Sequence, residues 1–123
     1  MGVTGAGRQP FGTWAEVADF ALSLPATELS TSYGKPAVKL RGKAFLYPGR
    51  EAGSFAIASP LDEKEMLMTT DPGTFWETQH YSGWPAVLVR FGSPERERIE
   101  LVIRRAWWDR ASKAQRTTFG PRP

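Results

Sequence analysis

The chain carries a single histidine, His80, and no cysteine, so a metal centre would have to draw its remaining ligands from carboxylates such as Glu77, an uncommon zinc set. A dyad of His80 with Ser82 is no better founded, because residues two apart on a strand or turn do not bring a hydroxyl onto an imidazole with an acid behind it. Asp62, Glu63 and Glu65 stand where a helix begins, and the helix dipole accounts for them as well as acid–base chemistry does. Gly2, Gly5 and Gly7 have neither a preceding strand nor a following Lys-Ser or Lys-Thr, so they do not read as a phosphate loop. A cleft shared by His80, Tyr81 and Glu77 would be needed for catalysis, and no reaction class follows from those three. The expectation is a noncatalytic protein with no metal and no cofactor.

Binding chemistry is better represented. Sixteen Lys and Arg against thirteen Asp and Glu leave a formal charge of only +3, but residues 35–50 and 101–123 each carry +5, with −5 over 51–100 and −2 over 1–34. In the first block Lys39, Arg41 and Lys43 occupy alternate positions, with Lys35 before them and Arg50 after. If pleat alternation continues through the intervening turn, these three form a basic rib on one face. The same face would hold Ala37, Ala44, Ala56, Ala58, Ala86 and Arg90, and the other would hold Val38, Leu40, Phe45, Tyr47, Phe55, Ile57, Val87, Val89 and Phe91. Small side chains beside a basic rib let a phosphate backbone approach, and they equally describe a solvated outer face whose charges discourage edge pairing. In the second block Arg104 and Arg105 lie with Leu101 and Trp108 opposite a stripe running from Ile99 to Ala106. That pair would serve as an aromatic platform for a nucleic acid, as a homodimer contact, or as cover for the second sheet face. Tyr33-Gly34-Lys35-Pro36 and the run from His80 to Pro85 have the chemistry of stiff turns. Where the two loops meet, Tyr33, His80, Tyr81 and Trp84 would line an aromatic pocket for a small ligand or nucleobase.

Several elements must position these groups. Thr13 and Glu16 have the spacing at which each satisfies a backbone N–H, so a helix starts there, with Trp14, Val17, Ala18, Ala21 and Leu22 on its apolar face and Pro25 ending it. From Ala37 the period becomes two, predicting a hairpin of 37–41 and 43–47, then a third strand over 54–59. Ser59-Pro60 followed by Asp62 predicts an N-cap and a short helix carrying Met66 and Leu67, which Asp71-Pro72-Gly73 stops. A fourth strand is expected over 75–81 and a fifth over 86–91, and Ser93-Pro94-Glu95 opens a last helix over about 94–112. The order α-β-β-β-α-β-β-α describes an α+β fold, an antiparallel sheet layered with helices.

With 123 residues the chain reads as one domain over 12–112, between a flexible tail at 1–11 and a basic tail at 113–123. No stretch reaches the apolar length of a membrane span, and the absence of cysteine points to a cytoplasmic protein.

The segments TSYGKPAVKLRGKAFL at 31–46, DEKEM at 62–66, DPGTFWETQHYSGWPAVLVR at 71–90 and AWWDRAS at 106–112 resemble the MmcQ/YjbR-like family. The most specific part is Thr-x-His-Tyr-x-Gly-x-Pro, here Thr78, His80, Tyr81, Gly83 and Pro85. The resemblance spans about residues 13–113. It implies a small antiparallel α+β fold similar to that of secretion chaperones, and DNA binding through hairpins described as a double wing. Carried onto this chain, the wings would be the hairpin of Lys39, Arg41 and Lys43 and, beside it, the 75–90 segment with His80 and Arg90. The resemblance supplies no catalytic residue. DNA is therefore the expected partner, held mostly through phosphates, with a small-ligand or protein-interaction module, homodimeric in one form, as the alternative.

Overall fold

A computed structural model describes residues 9–123. The glycines at 2, 5 and 7 lie outside the described residues. Among the described residues there are four α-helices and six antiparallel strands, so the α+β class holds. The elements run α1 (Trp14–Leu22), β1 (Glu28–Ser32), β2 (Lys35–Leu40), β3 (Lys43–Pro48), β4 (Ser54–Ala58), α2 (Leu61–Thr70), β5 (Phe75–Trp76), β6 (Ala86–Arg90), α3 (Arg96–Arg110) and α4 (Lys113–Phe119). The strands lie side by side in the order β1-β2-β3-β4-β6-β5.

The α1 cap forms as its spacing predicts: Thr13 Oγ1 accepts from the Glu16 amide at 3.2 Å, and the Glu16 carboxylate accepts from the Gly12 amide at 2.7 Å. Val17, Ala18 and Ala21 then turn inward. α3 buries Ile99, Val102, Ile103, Ala106 and Trp107 along one stripe. Those two helices pack on the sheet face that carries Val38, Leu40, Ile57, Val87 and Val89. Such burial is the main favourable term in the fold.

Two local features set the sheet's parity. Leu40 pairs with Lys43, so Arg41-Gly42 is a two-residue turn, and both residues have positive φ, 55° and 78°. Cross-strand partners point to the same side. Lys43 therefore shares a face with Leu40, and Lys39 shares the opposite face with Ala44. The single-face rib of Lys39, Arg41 and Lys43 does not form, because the two-residue turn inverts the alternation it required. The register then slips by one residue, since Val38 pairs with Leu46 while Lys39 pairs with Ala44. Phe45 is the extra residue of a β-bulge. Phe45 and Leu46 both enter the main core, and Tyr47 turns to the second face instead of the bulky one expected for it.

Other differences have equally local causes. β1 is missing from the sequence reading because its Glu-Leu-Ser-Thr-Ser has no apolar alternation; Leu29, its one large apolar residue, is 57% exposed at the sheet edge. Its partner is β2, joined through a turn at Tyr33-Gly34 with φ of 53° and 78°. Residues 113–123 are not a tail. Ser112 and Gln115 close a reciprocal capping box that starts α4, and beyond the helix Gly120 accepts from the Trp108 indole at 2.9 Å. Arg116 stacks 4.1 Å over the Trp108 ring, so that ring is covered by its own chain. Ser59 caps nothing: Pro60 is the N-cap residue of α2, and the Ser59 hydroxyl donates to the Pro60 carbonyl at 3.3 Å instead of accepting from the helix. α3 likewise begins at Arg96 without a side-chain cap.

Phe11, placed in the tail by the sequence reading, is buried against Phe20 and Phe55, with its carbonyl accepting from Gly92 and Arg96 stacked on its ring. Phe11→Ala should accordingly lower the unfolding free energy by about 3–5 kcal/mol in a urea titration. A change below roughly 0.5 kcal/mol, the surface-site range, would return Phe11 to the tail.

Candidate binding groove

The second sheet face carries Ala56, Ala86 and Leu88, a surface low enough for a loop to lie on. After β5 the chain leaves the sheet. Residues 77–81, expected to continue a strand, instead enter a 3-10 turn at Gln79–Tyr81 that seats the Tyr81 ring on those three residues. Local propensity does not show this, because the bonds that hold the turn come from α2.

Lys64 of α2 is the source. Its side chain is only 3% exposed, and its ammonium donates to the Tyr81 carbonyl at 2.7 Å and the Trp84 carbonyl at 2.8 Å while pairing with Glu77 at 2.8 Å. An ammonium has three protons, and here each has an acceptor. The loop is also tied from β3–β4, where the Arg50 amide donates to the Tyr81 hydroxyl at 2.9 Å. The Arg50 guanidinium reaches His80 Nδ1 at 2.8 Å. A guanidinium has no acceptor, so Nδ1 holds a lone pair and the imidazole proton is on Nε2. Glu77, occupied by Lys64, does not join His80 in a cleft.

Between this loop and the β1–β2 turn runs a groove of about 680 Å³. It brings together all four residues of the predicted aromatic pocket, Tyr33, His80, Tyr81 and Trp84, and adds Lys35 and Arg50 from the predicted basic set. Tyr33 is fully exposed and Trp84 is 59% exposed. Arg110, one of the cations of the second basic block, joins them from the end of α3. Two participants have no place in the sequence expectation: Tyr47 reaches the groove through the bulge, and Lys64 acts from beneath. Of these only Lys64 has a sequence signal, its i,i+3 spacing from the buried Leu67.

Burial raises the Tyr47 phenol above its usual 10.0, and the neighbouring Trp84 side chain opposes that rise. Arg110 donates to the Ala44 carbonyl at 3.3 Å, and its Nε is buried without a hydrogen-bond partner among the described residues. No carboxylate lines the groove among the described residues. A smaller cavity, about 450 Å³, differs in that respect: Asp62, Glu63 and Asp109 line it, and Arg122 already bridges Glu63 and Asp109.

The remaining predicted cations separate into two groups. Lys39 and Arg90 share the groove's sheet face; Lys39 sits opposite Glu28, and Arg90 stacks 4.1 Å over Trp76. Arg104 lies 5.2 Å over Phe20 and 3.7 Å from Glu100, while Arg105 pairs with Glu63 and donates to the Pro123 carbonyl. Both helix arginines are engaged by their own chain away from the groove. Among the described residues no group of three or more His, Asp and Glu is placed to hold a metal ion, and no helix is long and apolar enough to cross a membrane.

A small antiparallel sheet with two helices on one face and a loop-roofed aromatic groove on the other thus defines the architecture. Residues 22–108 match the sequence model of YjbR, and the chain belongs to the YjbR family. It is 30% identical over 116 residues to an uncharacterized protein of Mycobacterium tuberculosis, covering 82% of this chain and 90% of that protein. An uncharacterized protein of Mycobacterium bovis matches to the same extent. No solved structure matches the chain.

Two outcomes follow from this geometry. Lys64→Met leaves two carbonyls and a carboxylate without their shared cation, so it should cost roughly 3–5 kcal/mol and speed hydrogen exchange at the Tyr81, Ser82 and Trp84 amides. Unchanged exchange there would separate the loop from Lys64. For Tyr47, the folded chain keeps a proton that the unfolded chain releases near 10.0. Its contribution to stability is complete below that pH and is lost as pH rises through the raised value. Tyr47→Phe should remove this component of the alkaline loss, read from denaturant midpoints between neutral and high pH, and an unaltered profile would assign the loss elsewhere.

Proposed function

We propose that this is a noncatalytic DNA-binding protein whose contact surface is the second sheet face with its groove, holding nucleic acid mainly by phosphates. One observation carries the reading: Lys35, Arg50 and Arg110 line the groove with no carboxylate among its described lining residues, beside the exposed rings of Tyr33 and Trp84. Cations that follow a phosphate backbone, combined with rings on which bases stack, are how proteins hold nucleic acid with little base readout. Lys39 and Arg90 lengthen the positive track on the same face. This surface replaces the single-face rib, whose Lys43 points the other way, and it leaves out Arg104 and Arg105. The second reading, a small-ligand module, draws on the same groove, whose volume of about 680 Å³ falls within the usual range of small-molecule sites.

Fluorescence anisotropy of labelled single-stranded and duplex DNA over a salt series tests the proposal. The double variant Lys35→Glu/Arg50→Glu should weaken binding about tenfold or more and lower the salt slope by about one per lost phosphate contact. Lys43→Glu, on the opposite face, should leave the affinity within about twofold, since distant exposed charges are screened. The absence of binding at low salt, or an equal loss from Lys43→Glu, would refute this surface.

A further inference from the structure

We infer that the groove is a site for one nucleoside monophosphate unit, its base lying against Trp84 and Tyr33 and its phosphate meeting Arg50 and Arg110. The inference rests on the reading of this face as a binding face and specifies what enters it.

Charge gives the first argument. Lys35, Arg50 and Arg110 converge on a groove whose described lining contains no acid, so the complementary ligand is an anion. Arg110 is the sharper indicator. It lines the groove from the end of α3, and its one hydrogen bond, to the Ala44 carbonyl, is long at 3.3 Å, so its guanidinium is only weakly engaged by its own chain. A phosphate oxygen is the acceptor a guanidinium fork suits best.

The rings give the second. Trp84 is held at its backbone, where its carbonyl accepts from Lys64 at 2.8 Å and its amide donates to the Tyr81 carbonyl at 2.9 Å, yet the residue stays 59% exposed. Tyr33 occupies a left-handed turn position, φ 53°, where glycine or asparagine would be less strained, and it presents a fully exposed ring. Two exposed rings beside three cations suit a flat ligand with an anionic end. His80, with its proton on Nε2, adds a neutral donor at the rim. The third argument is size. A volume of about 680 Å³ accepts a nucleotide and is far too small for a duplex.

Isothermal titration calorimetry on the full chain tests this with adenosine 5′-monophosphate, adenosine, inorganic phosphate, a 5′-phosphorylated single-stranded oligonucleotide and a blunt duplex. Saturable binding of the monophosphate is expected, with adenosine and phosphate each about tenfold weaker or more. Trp84→Ala should weaken it about tenfold, the scale of one lost base stack. Arg110→Gln should do the same, with thermal melts confirming that both variants fold. An oligonucleotide that displaces the monophosphate would place the unit within a strand, and one that does not would make it a free nucleotide; both support the same pocket. Adenosine binding as tightly as the monophosphate, or an affinity indifferent to Trp84→Ala, would overturn the inference. Duplex binding without monophosphate binding would overturn it too while leaving the binding face in place, and binding of none of these ligands would overturn both.

Discussion

The ammonium of Lys64 is the charge around which the second face is organised. Removing a lysine from water is costly, and the cost is offset here only because all three protons meet acceptors at 2.7–2.8 Å. Those acceptors come from two backbone carbonyls of one loop and one side chain at its start, so a single group fixes where Glu77, Tyr81 and Trp84 sit. Tyr81 then covers the small residues of the sheet, and its hydroxyl anchors the Arg50 amide. The groove is what remains between this loop and the first hairpin. Its shape follows from a side chain that does not line it.

The core face depends on a different constraint, the fit of α1 and α3 to a buried cluster of apolar strand residues that includes Val38, Leu40, Ile57, Val87 and Val89. Each face has its own logic. One is sealed by burial, and the other is held open by hydrogen bonds. The cations divide accordingly. Arg104 and Arg105, on the helical side, are engaged by Phe20, Glu100, Glu63 and the chain end, whereas Lys35 and Arg50 keep their charge facing the groove. Net charge conceals this division, and the segment charges show only half of it, since both +5 blocks look alike in sequence.

What could be read from the sequence was what neighbouring residues decide. The Thr13–Glu16 cap, the β2–β3 hairpin and the buried stripe of α3 are local patterns, and all three are present. The two stiff loops that Gly and Pro mark do lie round one groove, with Tyr33 and Trp84 exposed and Tyr81 buried. Features set by distant partners were not legible. β1 exists through pairing with β2, and the 77–81 segment bends because Lys64 pulls its carbonyls. The parity of Lys39 and Lys43 hinged on turn length. Arg41-Gly42 lacks the Asn-Gly or Asp-Gly that announces a two-residue turn, so the sequence does not mark where the alternation inverts. α4 does have a local signal, the Ser112–Gln115 capping pair, set among basic residues that otherwise read as a tail.

The bulge at Phe45 has a consequence for how such sheets diversify. One extra residue gives both Phe45 and Leu46 to the core and delivers Tyr47 to the opposite surface, where it lines the groove beside Trp84. A relative that lost this residue would pair β2 with β3 regularly, keep Leu46 inward and Tyr47 on the groove side, and give up one ring of the core. A relative that kept the residue but flattened the bulge would exchange the two sides beyond it, bringing a phenol into the interior and an aliphatic group to the groove floor. The bulge thus absorbs a change of one residue in strand length without altering the chemistry of the groove.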